Sequence, residues 1–164
     1  LIAIDGALNS FAGKDGFGLK RNQVMDSIDD TQNKTIKYAD RERDFTKNLI
    51  TGAIFKTAVD NTHPMAFGYD DYYFTLKQGT ASYSLLDDGY NVAYLGDRPK
   101  NVSGYTGKDA LKQLGNSLIF GEQRLGSGSL IYFADDVLFR SFWEHGKLFF
   151  VNSLFFVNNN MVEL

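Results

Sequence analysis

The first four residues constrain the fold most strongly. Leu1-Ile2-Ala3-Ile4 is apolar without a break and is followed by the turn residues Asp5-Gly6. A short apolar run of this kind is typical of a strand that is buried on both faces, as in the parallel sheets of α/β proteins. Such a strand needs a neighbour on each side, and nothing precedes it in this sequence. We therefore expect an α/β sheet, and we expect the chain to be a fragment cut at or just before a strand.

Runs of strand-forming residues, separated by turn residues, fill most of the remaining chain. They predict strands at residues 53–59, 72–76, 90–95, 117–122 and 129–134. The glycine-rich segment 124–128 lies between the last two of these runs and predicts a β-hairpin turn. Helices are predicted at residues 38–48, 107–115 and 146–157. The last of these is apolar nearly all round, so we expect it to lie in the interior or to cover a face of the sheet.

The length of 164 residues fits one domain, so residues 1–164 are interpreted as a single, truncated unit. Hydrophobic residues make up 43% of the chain and charged residues 23%, which is enough apolar material for a buried core. The stretch 25–37 is rich in Asp, Asn, Gln and Lys and contains few core candidates. It is therefore predicted to be a flexible insertion.

Composition argues against two classes of partner. The net charge is −3 and the charged residues are interspersed, whereas binding to nucleic acid requires a basic stripe. No apolar run approaches the roughly 18 residues that a membrane-spanning helix needs. The chain also contains no cysteine, which excludes disulfides, thiolate nucleophiles and sulfur-ligated metal sites.

The sequence carries no recognisable catalytic motif. A serine-hydrolase elbow requires Gly-x-Ser-x-Gly, but Ser117 follows Gly115 and precedes Ile119 at the two glycine positions. The two histidines, His63 and His145, do not belong to a His-x-x-Glu or His-Glu-x-x-His pair that would hold zinc. A structural role in a turn is favoured for His63, and helix capping or solvent exposure for His145. We therefore expect no catalytic residue and no metal site in this chain.

Asp135 and Asp136 are the main candidates for a ligand site, because they follow the apolar strand predicted at 129–134. In open α/β sheets, ligands bind at the carboxyl ends of the strands. The simpler interpretation is that one of the two carboxylates caps the turn that leads to Leu138. Both interpretations remain open at the level of sequence.

Arg140 and Trp143 are weaker candidates for the same ligand site. They lie in a half-apolar segment in which a guanidinium group needs a partner. The structural interpretation is an ion pair with Asp135, Asp136 or Glu144, and the functional one is a bound anion or carboxylate. Packing of the last helix is the simpler explanation for the whole segment.

Two further hypotheses come from side chains that are far apart in the sequence. A carbohydrate- or small-ligand-binding module is possible if aromatic side chains stack on sugar faces; the candidates are Tyr69, Tyr72, Tyr73 and Trp143. Aromatic residues are also good strand formers, which explains them without a ligand. A cryptic hydrolase would have to combine Asp135 or Asp136 with a histidine, directly or through one water.

Three parts of the chain resemble a known family when they are taken together. They are residues 1–8, residues 52–56 with 61–69, and residues 128–136 with 138–143 and the Phe-rich last helix. The most specific segments are His-Pro-x-Ala-Phe-Gly-Tyr at 63–69 and Phe-Arg-x-Phe-Trp at 139–143. The chain resembles the C-terminal region of large bacterial zinc carboxypeptidase-like proteins. In that family, a carboxypeptidase A-type metallopeptidase domain is followed by a domain similar to class I glutamine amidotransferases.

This resemblance implies a flavodoxin-like, class I glutamine amidotransferase-like sheet flanked by helices. The chain would be the C-terminal part of that sheet, with an antiparallel hairpin near its end. The implied function is that of a non-catalytic accessory domain, which positions substrate or mediates assembly in a zinc metallocarboxypeptidase. The amidotransferase nucleophile has no matching residue, because the chain lacks cysteine, and the zinc ligands of the peptidase have no matching positions either.

The same resemblance implies the partners of the chain. The main partner is the upstream peptidase domain of the same parent protein, which would hold the zinc and carry out the hydrolysis of peptides. A homo-oligomer is a further possibility. If the parent protein is like the carboxypeptidase family, its location is periplasmic or secreted.

Overall fold

The computed structural model describes residues 1–22 and 37–157, and these residues are dominated by β-structure. The eight strands are β1 (Ile2–Ile4), β2 (Ile50–Val59), β3 (Tyr72–Lys77), β4 (Tyr83–Ser84), β5 (Tyr90–Leu95), β6 (Asn101–Thr106), β7 (Ser117–Leu125) and β8 (Gly128–Phe133). The helices are α1 (Tyr38–Lys47), α2 (Lys108–Gln113) and α3 (Glu144–Phe155). Short 3-10 turns occupy Asp5–Ser10, Pro64–Ala66 and Phe139–Ser141.

The strands form one mixed, curled sheet with the shape of a half-barrel. Its order is β1-β8-β7-β5-β2-β3, and β4 and β6 pair in addition with β7 and β2. The long strand β2 pairs along one edge with both β6 and β5, and along its other edge with β3. Strands β1 and β8 are parallel, and every other pair in the described residues is antiparallel.

The flavodoxin-like fold expected from the sequence is therefore wrong. That fold needs a mostly parallel sheet with helices on both faces, whereas the described sheet has a single parallel pair and few, short helices. Parallel neighbours need crossover connections of about a dozen residues or more, but antiparallel neighbours can be joined by short turns. Strand β1 also lies at one end of the sheet, where β8 is its partner among the described residues.

Several local predictions agree with the structure. Strands β7 and β8 form the predicted hairpin, in which Leu125 pairs with Gly128 and Gly126 has the positive φ of 58° that a tight turn requires. The last helix begins at Glu144, two residues before the predicted start. The predicted flexible insertion at 25–37 lies outside the described residues, apart from Lys37.

The sheet separates two apolar clusters. Along β8, Ile131 and Phe133 belong to one cluster, whereas Leu130 and Tyr132 belong to the other. Alternate side chains of a strand point to opposite faces, so both faces of β8 are covered. Helix α3 covers the first cluster with Phe149, which is fully buried. The expectation that the last helix covers a sheet face is thus met, but its opposite side is exposed.

The helices of the described residues are short. None of them is both long enough and apolar enough to cross a bilayer. The longest, α3, has twelve residues, whereas a spanning helix needs about 20.

Candidate functional site

A polar cavity of about 210 Å³ lies where β1, β3 and β8 end. Its lining includes Asp5, Lys77, Gln78, Ala134, Asp135 and Asp136. Because β1 and β8 are parallel, their carboxyl ends lie at the same edge of the sheet, which brings Asp5 close to Asp135 and Asp136. This is the edge at which the sequence predicted a ligand site. We refer to it as the polar cavity.

The polar cavity contains a buried ion pair. The Lys77 ammonium nitrogen lies 2.9 Å from Asp135 Oδ1, and these side chains are only 2% and 6% exposed. The Thr75 hydroxyl donates to the other carboxylate oxygen of Asp135 at 2.7 Å. Thr75 and Lys77 are two apart on β3, so strand geometry places both side chains on the same face. Asp135 therefore has a partner for each of its oxygens.

Asp136 and Asp5 offer the unpaired acceptors of the polar cavity. Asp136 accepts the Leu138 backbone N–H through Oδ1 at 2.9 Å, which is the turn cap considered in the sequence analysis. Its second oxygen has no hydrogen-bond partner among the described residues, and neither oxygen of the exposed Asp5 has one. Asp5 also adopts a left-handed backbone conformation with φ 47°, at the start of a 3-10 turn.

Arg140 does not join this site. Its side chain is exposed, and its guanidinium lies 5.1 Å from the ring of Phe139. Among the described residues it forms no ion pair with Asp135, Asp136 or Glu144, contrary to the structural interpretation. The reason is local: Arg140 has a left-handed φ of 48° within the turn, and this turn carries the side chain out to solvent.

Trp143 packs against the core instead of lining the polar cavity. Its indole N–H donates to the Tyr73 hydroxyl at 2.9 Å. The Tyr69 hydroxyl donates to the His145 carbonyl at 2.6 Å and accepts the Phe149 N–H at 3.1 Å. Burial raises the pKa of both tyrosines far above the usual value. Tyr69 and Tyr73 therefore fix α3 to the sheet and do not present open faces for a sugar.

Among the described residues, the two histidines make no hydrogen bond or ion pair with the carboxylates of the polar cavity. Within the described residues, neither His63 nor His145 lines that cavity. Asp135 is engaged by the ammonium and hydroxyl groups of β3, and Asp136 by a backbone N–H. Among the described residues, the structure therefore shows no direct contact between a histidine and Asp135 or Asp136 of the kind that the cryptic hydrolase could use.

His63 takes part in a buried network that the sequence did not predict. Its Nδ1 accepts the Met65 N–H at 3.2 Å, and its Nε2 lies 3.0 Å from Glu122. The Ser129 hydroxyl donates to the other oxygen of Glu122 at 2.5 Å. Burial acts to raise the pKa of Glu122, but the hydrogen bonds from His63 and Ser129 outweigh it, and the pKa falls below its ordinary value.

The order of this network differs from that of a hydrolase triad. In a triad the histidine lies between the serine and the carboxylate and takes the proton of the serine. Here Glu122 lies between Ser129 and His63. The network therefore connects the β7–β8 hairpin with the turn at residues 63–66. Only the folded structure reveals it, since its residues are far apart in the sequence.

A second depression is apolar and lies at the start of α3. It has a volume of about 480 Å³ and is lined mainly by the side chains of Ile54, Phe74, Val102, Phe142, Trp143 and His145. Val102 and Phe142 are large apolar residues that are nonetheless exposed. We call this depression the apolar groove.

The exposed side of α3 continues from the apolar groove. Leu148 follows the groove residue His145 by three positions, and positions three or four apart lie on the same side of a helix. Exposed apolar side chains occupy this side of α3 and the C-terminal end of the helix. They are Leu148, Val151, Leu154, Phe155 and Phe156. We call these five residues the α3 stripe.

The carboxylates and imidazoles of the described residues are dispersed with respect to metal binding. No group of three or more His, Asp or Glu side chains in residues 1–22 and 37–157 is placed to hold a metal ion. The carboxylates of the polar cavity are not such a group, and Asp135 is paired with Lys77.

Comparison with known proteins adds no relative from which a function could be inferred. No family model, curated protein or solved structure matches the chain significantly. The resemblance to zinc carboxypeptidase-like proteins therefore remains a prediction from the sequence. The geometry of the polar cavity, the apolar groove and the α3 stripe is the remaining guide to function.

Proposed function

We propose that the chain is a non-catalytic accessory domain that binds another folded protein domain through the α3 stripe and the apolar groove. The observation that carries this proposal is the exposure of the stripe. Val151 and Leu154 are 42% and 54% exposed, although both are apolar. Exposed apolar residues that are contiguous on a protein surface are characteristic of interaction sites.

The chemistry of the stripe defines the kind of surface that would cover it. Residues 148–157 contain no charged side chain, and the ion pair Lys147–Glu144 lies at the beginning of the helix. Burial of a large apolar side chain contributes about 1.5–3 kcal/mol. A partner with an apolar surface would therefore gain the most by contacting this side of α3.

The partner in this proposal is the zinc carboxypeptidase-like domain of the same parent protein. This choice rests on the resemblance to that family of residues 1–8, of residues 52–56 with 61–69, and of residues 128–136 with 138–143 and the last helix. In this arrangement the partner holds the zinc and carries out peptide hydrolysis, while the present chain positions substrate or stabilises the assembly. A homo-oligomer would instead place a second copy on the α3 stripe.

Association can be tested with matched serine variants. Val151→Ser and Leu154→Ser change the α3 stripe, whereas Phe45→Ser changes an exposed residue of α1, outside both the groove and the stripe. We expect each stripe variant to weaken binding to the purified peptidase domain at least tenfold, measured by calorimetry, with the control unchanged. Equal affinities for all variants would refute the proposed interface. If the chain alone forms dimers, and if the stripe variants dissociate them, the partner on the α3 stripe is a second copy of the chain and not the peptidase domain.

The absence of catalysis is tested separately. The isolated chain is incubated with peptides that differ in their C-terminal residue, with and without added zinc. The proposal expects no release of amino acids in either condition. Robust turnover by the isolated chain would contradict it.

A further inference from the structure

We infer that the polar cavity binds a small ligand carrying a primary ammonium group next to an oxygen acceptor. The inference is independent of the proposed interface, because the residues that line the polar cavity belong neither to the apolar groove nor to the α3 stripe. It rests on the buried ammonium of Lys77 and on the unpaired carboxylate oxygens of Asp5 and Asp136.

Among the described residues, the Lys77 ammonium has a partner for one of its three N–H groups. It is almost completely buried, and among the described residues Asp135 is its one hydrogen-bond partner. A lysine ammonium carries three donors, and a buried donor without an acceptor costs free energy. Because Lys77 lines the polar cavity, an oxygen atom of a ligand would satisfy the remaining donors.

The carboxylates of the polar cavity require a positively charged hydrogen-bond donor from the ligand. Three carboxylates and one ammonium line it, so negative charge is in excess. Lys77 neutralises Asp135, which leaves Asp5 and the second oxygen of Asp136 to accept hydrogen bonds from a ligand. Charge-assisted hydrogen bonds of an ammonium to carboxylates are about twice as strong as neutral ones.

These two requirements together define the ligand class. A ligand with an ammonium group for Asp5 and Asp136 and a carbonyl or hydroxyl oxygen for Lys77 satisfies both. A neutral acceptor is favoured over a carboxylate, since a carboxylate would add a further negative charge to a cavity that already has an excess. Amino amides and amino alcohols meet this description better than free amino acids do.

The test uses glycinamide as the probe and the backbone amide signals of Gln78, Gly79 and Ala134, which line the polar cavity. Titration followed by nuclear magnetic resonance gives both the affinity and the place of binding. We expect glycinamide to bind more tightly than glycine or n-propylamine, because glycine adds a carboxylate and n-propylamine has no oxygen for Lys77. N-acetylglycinamide lacks the ammonium and is expected not to bind.

Two substitutions are designed to remove the negative charges of Asp5 and Asp136 and to keep the local backbone contacts. Asp5→Asn suits the left-handed backbone at this position, since Asn tolerates positive φ better than most residues. Asp136→Asn keeps an oxygen that accepts the Leu138 N–H. We expect the double variant to weaken the binding of glycinamide at least tenfold while its thermal unfolding midpoint stays unchanged.

Two outcomes would overturn the inference. One is that millimolar glycinamide leaves the signals of Gln78, Gly79 and Ala134 unshifted. The other is that glycinamide binds the double variant as tightly as the native chain, which would mean that the two carboxylates do not bind the ammonium. Neither outcome affects the proposed interface on α3, so failure of the inference and failure of the proposed function can be distinguished.

Discussion

Lys77 and Asp135 form a buried ion pair that joins the two ends of the curled sheet. Lys77 is the last residue of β3, which ends the strand order on one side, and Asp135 follows β8, which lies next to the strand at the other end. The distance between Nζ and Oδ1 is 2.9 Å. The same contact therefore stabilises the half-barrel and shapes the polar cavity.

Removing one member of this pair should destabilise the fold strongly. Lys77→Met leaves Asp135 buried without its countercharge, which typically costs about 3–5 kcal/mol. The double variant Lys77→Met/Asp135→Asn removes both charges and keeps an acceptor for the Thr75 hydroxyl, so we expect it to be more stable than the single variant. Denaturant unfolding measures both. A loss below about 1 kcal/mol in Lys77→Met would show that the pair does not hold the sheet together.

The Tyr73 hydroxyl should contribute to the attachment of the turn before α3. Tyr73→Phe leaves the indole N–H of Trp143 without its acceptor, and the expected cost is about 1 kcal/mol. Trp143 is the single tryptophan of the sequence, so its fluorescence reports unfolding directly. Tyr72→Phe is the matched control, because the Tyr72 hydroxyl makes no hydrogen bond with the described residues, and its loss should cost less than about 0.5 kcal/mol. Equal losses in the two variants would contradict this assignment.

Glu122 should make the fold sensitive to acid. Its pKa in the folded state lies below the ordinary value of 4.5, owing to the hydrogen bonds from His63 and Ser129. A lowered folded pKa stabilises the fold above the unfolded pKa, and this contribution is lost as the pH falls from about 4.5 through the folded value. In Glu122→Gln, the free energy of unfolding should therefore depend less steeply on pH in this range. Identical slopes for the native chain and the variant would exclude Glu122 as the source.

Gly146 should be required for the close packing of α3. A Cβ atom at this position would lie 2.3 Å from the Val137 carbonyl oxygen, which belongs to the backbone and cannot move easily. Alanine favours a helix over glycine by about 1 kcal/mol, but the overlap should outweigh this and make Gly146→Ala less stable by about 1–3 kcal/mol. Gly96→Ala is the control, since its added Cβ would meet nothing within 4 Å. Thermal unfolding that shows Gly146→Ala to be as stable as the native chain would contradict the close approach.

The sequence predicted local structure better than the arrangement of strands. The hairpin β7–β8 was predictable because its turn is encoded by the adjacent residues Gly126 and Ser127. Strand order depends on contacts between distant residues, such as the pairing of Ile2 with Ile131, which periodicity alone does not encode. An apolar first strand is compatible with either the centre or the end of a sheet, and the flavodoxin-like expectation assumed the centre.

In the candidate site, too, local features were predictable from the sequence and contacts between distant residues were not. The position of Asp135 at the end of a buried strand was predictable from the sequence, and so was a turn cap by one of the two aspartates, which the structure assigns to Asp136. The partner of Asp135 was not predictable, because Lys77 reads as an ordinary charged residue at the end of its strand. Arg140 was expected to find a carboxylate, but the left-handed turn takes it to the surface.

The central claim is that the α3 stripe is covered by a partner domain, and hydroxyl-radical footprinting tests it most directly. Leu148, Val151 and Leu154 are labelled in the isolated chain and again in the presence of the proposed partner, a zinc carboxypeptidase-like domain. We predict that these three residues become protected while the exposed control Phe45 does not. Equal labelling of the stripe with and without the peptidase domain would contradict the account.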